Sequence, residues 1–218
     1  MSNLRYYVAI IVFVLLYIFY NFSQDSSIYY EKPVYSAEDI QKGKQLSIKL
    51  CNSCHSLHDK YPRLEGLSSA YIQKQLKNYI DANRLDLQMQ KIVKSLSKED
   101  ILSISAYYSS VSFSQNKKDV DRAKFEIGEN LALIGKANLS RCSSCHGLNG
   151  EGFAEEFPAI AGQNEQYISS QLHMWKNSLR QNDKFNMMKN ISNKLSEEEI
   201  KSLSLYYSSL PYSVNMEK

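Results

Sequence analysis

The sequence predicts an all-α protein built twice from one small helical unit, and three observations carry that prediction. A five-residue motif occurs twice, as Cys51-Asn52-Ser53-Cys54-His55 and Cys142-Ser143-Ser144-Cys145-His146. The two motifs lie inside a much longer internal repeat. Each copy also carries the same helix-start signals in the same places.

The repeat becomes visible when His55 is laid on His146. Pro62-Arg63-Leu64-Glu65-Gly66 then matches Pro158-Ala159-Ile160-Ala161-Gly162, and Tyr71-Ile72 with Gln75-Leu76 matches Tyr167-Ile168 with Gln171-Leu172. Met89, Ile92, Leu96 and Ser97 match Met188, Ile191, Leu195 and Ser196 at identical internal spacing. Tyr107-Tyr108-Ser109-Ser110 matches Tyr206-Tyr207-Ser208-Ser209. The order is the same throughout and only the connecting lengths differ.

Each copy reads as helical. Ser36-Ala37-Glu38-Asp39 is a capping-box pattern ahead of Ile40, Leu46, Ile48 and Leu50. Ile72, Leu76, Tyr79 and Ile80 share one helical face, as do Ile168, Leu172 and Trp175. The last helices open at Ser97-Lys98-Glu99-Asp100 and Ser196-Glu197-Glu198-Glu199. Leu96 and Leu195 precede those caps and are placed to staple onto Ile101 and Ile200. Gly128-Glu129-Asn130-Leu131 opens the second copy as Gly43-Lys44-Gln45-Leu46 opens the first. The expected domains span 36–111 and 121–212, joined by a polar linker at 112–120 and followed by a tail at 213–218.

C-x-x-C-H is the attachment signature of c-type haem. Two thiols on one short turn add across two vinyl groups, and the next residue supplies an imidazole as proximal iron ligand. A structural zinc site built from both C-x-x-C pairs would leave both histidines unexplained. Two covalently bound haems c are therefore expected, attached through Cys51 and Cys54 and through Cys142 and Cys145, with His55 and His146 on the irons. The sixth ligand decides between electron transfer and catalysis, because a protein ligand there closes the iron to substrate. The first copy holds one candidate thioether, Met89, while the second offers Met174, Met187 and Met188. Met89 lies seven residues before Leu96 and Met188 seven before Leu195, so the repeat selects Met89 and Met188. His58 and His173 have no counterparts and read as surface histidines. Pro62 and Pro158 offer carbonyls that could orient the proximal rings.

At the N-terminus, residues 6 to 20 form a charge-free apolar run behind Arg5. As a helix, 6–23 would cover about 27 Å, near the roughly 30 Å of a bilayer core. No A-x-A-like cleavage site follows it. The expectation is a cytoplasmic n-region at 1–5, a single transmembrane anchor at 6–23 and a tether at 24–35. That topology puts the haem domains on the periplasmic side of a bacterial membrane, or free in the periplasm if the segment is cleaved. The net charge of +3 is too small to argue for nucleic acid, and all four cysteines are spent in the two motifs.

The run from Cys145-His146-Gly147 through Gly152, then Phe157-Pro158-Ala159-Ile160-Ala161-Gly162-Gln163, resembles the dihaem cytochrome c4 family. So does Met188 with Ile191 and Leu195-Ser196-Glu197-Glu198-Glu199-Ile200. The resemblance covers both copies and is strongest in the second. It implies two class I cytochrome c domains, each a few short helices around its haem, packed face to face. It also implies a non-enzymatic carrier, moving electrons from a quinol-oxidising complex to a terminal oxidase or reductase. The alternatives are a haem-bearing subunit of a membrane oxidase or reductase complex, or a dihaem enzyme such as a peroxidase or thiosulfate-oxidising cytochrome. The first copy departs from the pattern. Its loop from His55 to Pro62 is five residues shorter, and the G-x-x-G element of the second copy is missing.

Overall fold

The computed structural model describes residues 12, 14, 17, 34–56, 59–115, 119–153 and 155–213. Residues 1–34 and 35–218 form separate compact units. The expected anchor is corrected here. Among the described residues no helix is long and apolar enough to cross a membrane. Within 6–23 only Val12, Val14 and Tyr17 are described, each helical and exposed. The rest of that segment, the n-region and most of the tether lie outside the described residues. An apolar run of this length also suits the core of an export signal, so length and hydropathy did not establish an anchored location. That expectation is withdrawn.

Among the described residues from 35 on, the regular elements are helices apart from one two-residue antiparallel pair and two isolated bridges. The first copy forms α1 (Ala37–Leu50), α2 (Asn52–His55), α3 (Ser69–Ile80), α4 (Leu87–Val93) and α5 (Lys98–Ser110). The second forms α6 (Arg122–Leu133), α7 (Ser143–His146), α8 (Glu165–Lys176), α9 (Met187–Ser192) and α10 (Glu197–Ser209). A short 3₁₀ turn, Lys184–Asn186, precedes α9. Strand β1 (Ser114–Gln115) pairs with β2 (Tyr212–Ser213), so the backbone after α5 meets the backbone after α10.

The capping boxes form as the sequence predicts. The Ser36, Ser97 and Ser196 hydroxyls accept from the N–H groups of Asp39, Asp100 and Glu199, and those carboxylates accept in return from the cap N–H groups. In each copy the first helix packs against the last, α1 on α5 and α6 on α10. A glycine makes each crossing possible. A Cβ on Gly43 would fall 1.9 Å from the Ser103 carbonyl oxygen, and one on Gly128 2.2 Å from that of Ser202. Small buried serines keep the backbones close, and Ser105 and Ser204 bond back to the carbonyls of Ile101 and Ile200.

One core cluster gathers Leu67, Ile72, Leu76, Tyr79, Val93, Ile104 and Tyr108. The other gathers Leu131, Leu139, Ile168, Leu172, Leu195, Ile200, Leu203, Tyr206 and Tyr207. Both expected staples lie within them, Leu96 with Ile101 and Leu195 with Ile200. Two apolar residues expected inside are outside instead: Ile48 is 63% and Ile80 49% exposed. Gly43 and Ser47 take the buried face of α1, because only small residues fit against α5.

Candidate haem sites

The two C-x-x-C-H turns have one geometry. The N–H groups of Cys54 and His55 both point to the Cys51 carbonyl, at 3.1 and 3.0 Å. Those of Cys145 and His146 point to the Cys142 carbonyl at the same two distances. Each turn projects two half-buried thiols and an imidazole from a four-residue helix and the cap residue before it.

Both imidazoles are oriented as the sequence anticipates. His55 Nδ1 lies 2.8 Å from the Pro62 carbonyl oxygen, and His146 Nδ1 lies 2.9 Å from that of Pro158. A carbonyl only accepts, so Nδ1 carries the proton and Nε2 keeps its lone pair. Burial pushes both rings below the ordinary histidine pKa, against the smaller opposing effect of the proline carbonyls. The result is a neutral, fixed imidazole with a free Nε2, which is the state a metal requires. Burial also raises the Cys142 thiol to about 11.

Met89 packs at the edge of the cluster that contains Cys51, and Met188 at the edge of the one that contains Cys142. An aspartate holds each methionine's backbone. Met89 N–H donates to Asp86 Oδ1 at 2.9 Å, and Met188 N–H donates to Asp183 Oδ2 at 2.6 Å. The spacing between aspartate and methionine differs. Two consecutive left-handed residues, Phe185 and Asn186, absorb the extra length in the second copy. Met174 instead lies on α8, its sulfur 3.7 Å from Gln171 Nε2. His173 is hydrogen-bonded at the surface, Nδ1 to the Ser169 carbonyl and Nε2 to Glu197. His58 lies outside the described residues.

Sequence reasoning missed a buried polar network between the copies. Arg84 donates to Gln75 of its own copy at 2.7 Å, and to Gln171 and Tyr167 of the other at 2.9 and 3.0 Å. Arg180 mirrors it, donating to Gln171 of its own copy at 2.7 Å and to Gln75 of the other at 3.2 Å. Arg84 stacks over Tyr79 and Arg180 over Trp175. The signal was present, since Gln75 precedes Arg84 by the same nine residues that separate Gln171 from Arg180. A pairwise match of apolar and motif residues passes over it.

Among the described residues no carboxylate pairs with either guanidinium, although Arg84 and Arg180 are only 6% and 3% exposed. Burial would raise the Tyr167 phenol, yet the two guanidiniums outweigh it and hold it below its ordinary pKa. Trp175 Nε1 is buried with no partner. Two unneutralised cations and an orphaned donor call for an anion, and a haem brings two propionates. The residues present therefore fit the haem at its axial, covalent and anionic ends.

An all-helical pair of C-x-x-C-H units with oriented histidines defines a dihaem c-type electron-transfer cytochrome, and comparison with known proteins agrees. The sequence model of the cytochrome c family matches residues 132–211. The chain is 31% identical to cytochrome c4 of Pseudomonas aeruginosa over 185 residues, covering 81% of this chain and 90% of that protein. It is 29% identical over 180 residues to a thiosulfate dehydrogenase electron acceptor of Stutzerimonas stutzeri, covering 78% of this chain and 83% of that one. The crystal structure of reduced recombinant cytochrome c4 from Pseudomonas stutzeri superposes with a TM-score of 0.72 at 29% identity, covering 81% of this chain and all of the other. The chain belongs to the cytochrome c4 family, and it carries two covalently bound haems c.

Proposed function

We propose that this cytochrome is a carrier without a substrate of its own, with His55 and Met89 on the first iron and His146 and Met188 on the second. Cys51, Cys54, Cys142 and Cys145 form the thioether links, within haem domains at 36–111 and 121–212. The bound haems supply a one-electron iron couple. The chain's own residues orient the rings, exclude water and neutralise the propionates, a task we give to Arg84 and Arg180. One observation carries the reading. In both copies an aspartate-held methionine sits at the edge of the same cluster as the first haem cysteine. Two closed irons suit transfer, whereas an enzyme needs one open.

Carbon monoxide tests this directly. Neither haem of the reduced protein should bind it at moderate concentration. Ready binding at one haem would instead support a dihaem enzyme.

The electron path we propose runs from a quinol-oxidising complex to a terminal oxidase or reductase. The relative named a thiosulfate dehydrogenase electron acceptor favours a second donor, a thiosulfate-oxidising enzyme. Stopped-flow reduction by each purified donor separates the two. Lys91, Lys94 and Lys98 on the first copy and Lys184 and Lys194 on the second are exposed. They would steer an acidic partner, so the bimolecular rate should fall steeply with salt.

A further inference from the structure

The peptide unit joining Pro62 to Arg63 is bonded at both ends. Its carbonyl oxygen accepts from His55 Nδ1 at 2.8 Å, and its N–H donates to Gln163 Oε1 at 2.7 Å. Gln163 belongs to the second copy and is 3% exposed. Its Nε2 returns a bond to the Arg63 carbonyl at 3.0 Å, so the side-chain amide is held at both ends. Asn164 N–H also donates to Oε1 at 2.9 Å, which fixes the oxygen toward Arg63. Further bonds secure the contact, from Arg63 to the carbonyls of Ala161 and Gly162 and from Asn164 Nδ2 to the Tyr61 carbonyl.

The second copy lacks this arrangement. His146 Nδ1 bonds to the Pro158 carbonyl, but among the described residues no acceptor meets the Ala159 N–H. Gly152 covers that peptide instead: a Cβ there would fall 2.3 Å from Ala159 N and 2.4 Å from the Pro158 carbonyl carbon. Leu67, which follows Gly66 as Gln163 follows Gly162, is a buried hydrocarbon with nothing to offer. The short loop of the first copy has no glycine to serve as cover, and its peptide meets the other copy's glutamine.

We infer that Gln163 is a positioning residue for the first haem, acting through the Pro62–Arg63 peptide, so that docking of the second copy sets the electron affinity of the first. The inference rests on His55 being the axial ligand. A hydrogen bond to a peptide N–H polarises its carbonyl and strengthens the next bond in the chain, by roughly a tenth to a third. A stronger acceptor at Nδ1 makes the imidazole more basic, which favours the ferric iron. The second haem receives no such contribution.

The experiment is a redox titration of the full holoprotein, with each haem followed separately by its hyperfine-shifted NMR signals. At the poise where the first haem is half-reduced, Gln163→Leu should raise its reduced-to-oxidised ratio about threefold and leave the second haem in place. Gln163→Glu keeps an acceptor oxygen on Arg63 N–H and adds negative charge, so the ratio should fall instead. If the Leu variant misfolds or its halves separate, the Glu variant decides alone. An unchanged first haem, or equal shifts at both haems, would overturn the inference. A wild-type first haem lacking axial imidazole signals would sink the ligation reading itself, and that result is visible before any variant is made.

Discussion

The loops that follow the two proximal histidines perform one task by different means. Pro62 follows His55 by seven positions and Pro158 follows His146 by twelve, yet both prolines present a carbonyl at the same distance from Nδ1 within 0.1 Å. The longer loop shields its peptide with its own Gly152, in the left-handed region at φ 68°. The shorter one relies on Gln163 from the other copy. One half uses a local feature where the other uses a tertiary contact. The two sites are therefore alike in the carbonyl that orients the histidine and different in what covers the peptide behind it.

The comparison can be broken most severely at the proposed sixth ligands. Met89→Ala and Met188→Ala should each open one iron, so that the reduced variant binds carbon monoxide at that haem alone. Binding at both haems, or at neither, would refute the one-to-one assignment. The optical spectrum of the carbonyl adduct reads the outcome.

The arginine network is the next largest test, and here the two halves should behave alike. Arg84→Met and Arg180→Met each remove one of the two guanidiniums that donate to the buried Gln75 and Gln171 oxygens, and with it one of the two cations proposed to neutralise the propionates. Each should cost about 3–5 kcal/mol of holoprotein stability in chemical denaturation. A large effect at one arginine and none at the other would show that the mirror arrangement is not energetically equivalent.

Gly43→Ala and Gly128→Ala sharpen the comparison at the helix crossings. Their methyl groups would meet backbone oxygens at 1.9 and 2.2 Å, which only helix displacement relieves. A loss of about 1–3 kcal/mol is expected for each, the first copy suffering at least as much as the second. Thermal unfolding of the two variants measures it.

The smallest expected effect distinguishes the halves by pH. His173 bonds Glu197, which raises its pKa above the ordinary value; Lys176 Nζ, also near Glu197, opposes this weakly. The first copy has Lys98 after its cap serine where the second has Glu197, so it lacks the pair. A histidine pKa raised by folding contributes stability at pH below the unfolded value. That contribution is lost as pH climbs through the folded one. The melting temperature should therefore drop slightly between about pH 6 and pH 8. His173→Gln should remove the slope.

Much of the molecule was legible because its signals are local. The serine caps, the staples and the turn from first cysteine to histidine depend on residues three to five apart, and they form as read. The repeat supplied a second copy of each signal, which is how Met89 and Met188 could be chosen over Met174 and Met187. Ile48 and Ile80 misled because helical periodicity gives a face but not the width of the neighbour that covers it. Ser47 and Gly43 are buried for a reason outside their own helix, the close approach of α5. The apolar N-terminal run misled differently, since anchor and export signal share one composition.

The sequence by itself determined the all-helical class, the duplication, the two haem attachment turns and the proline carbonyls behind the histidines. Each follows from short-range stereochemistry that neighbours along the chain dictate. Only the tertiary structure decided that Arg84 and Arg180 reach across to the opposite glutamines, and that Gln163 closes on the Pro62–Arg63 peptide. Those pairs lie about a hundred residues apart. The repeated glutamine-to-arginine spacing marks the arginines but does not say that they cross to the other copy. Desolvation at a shared interface links the pairs, because a buried donor must find its acceptor wherever the fold brings one.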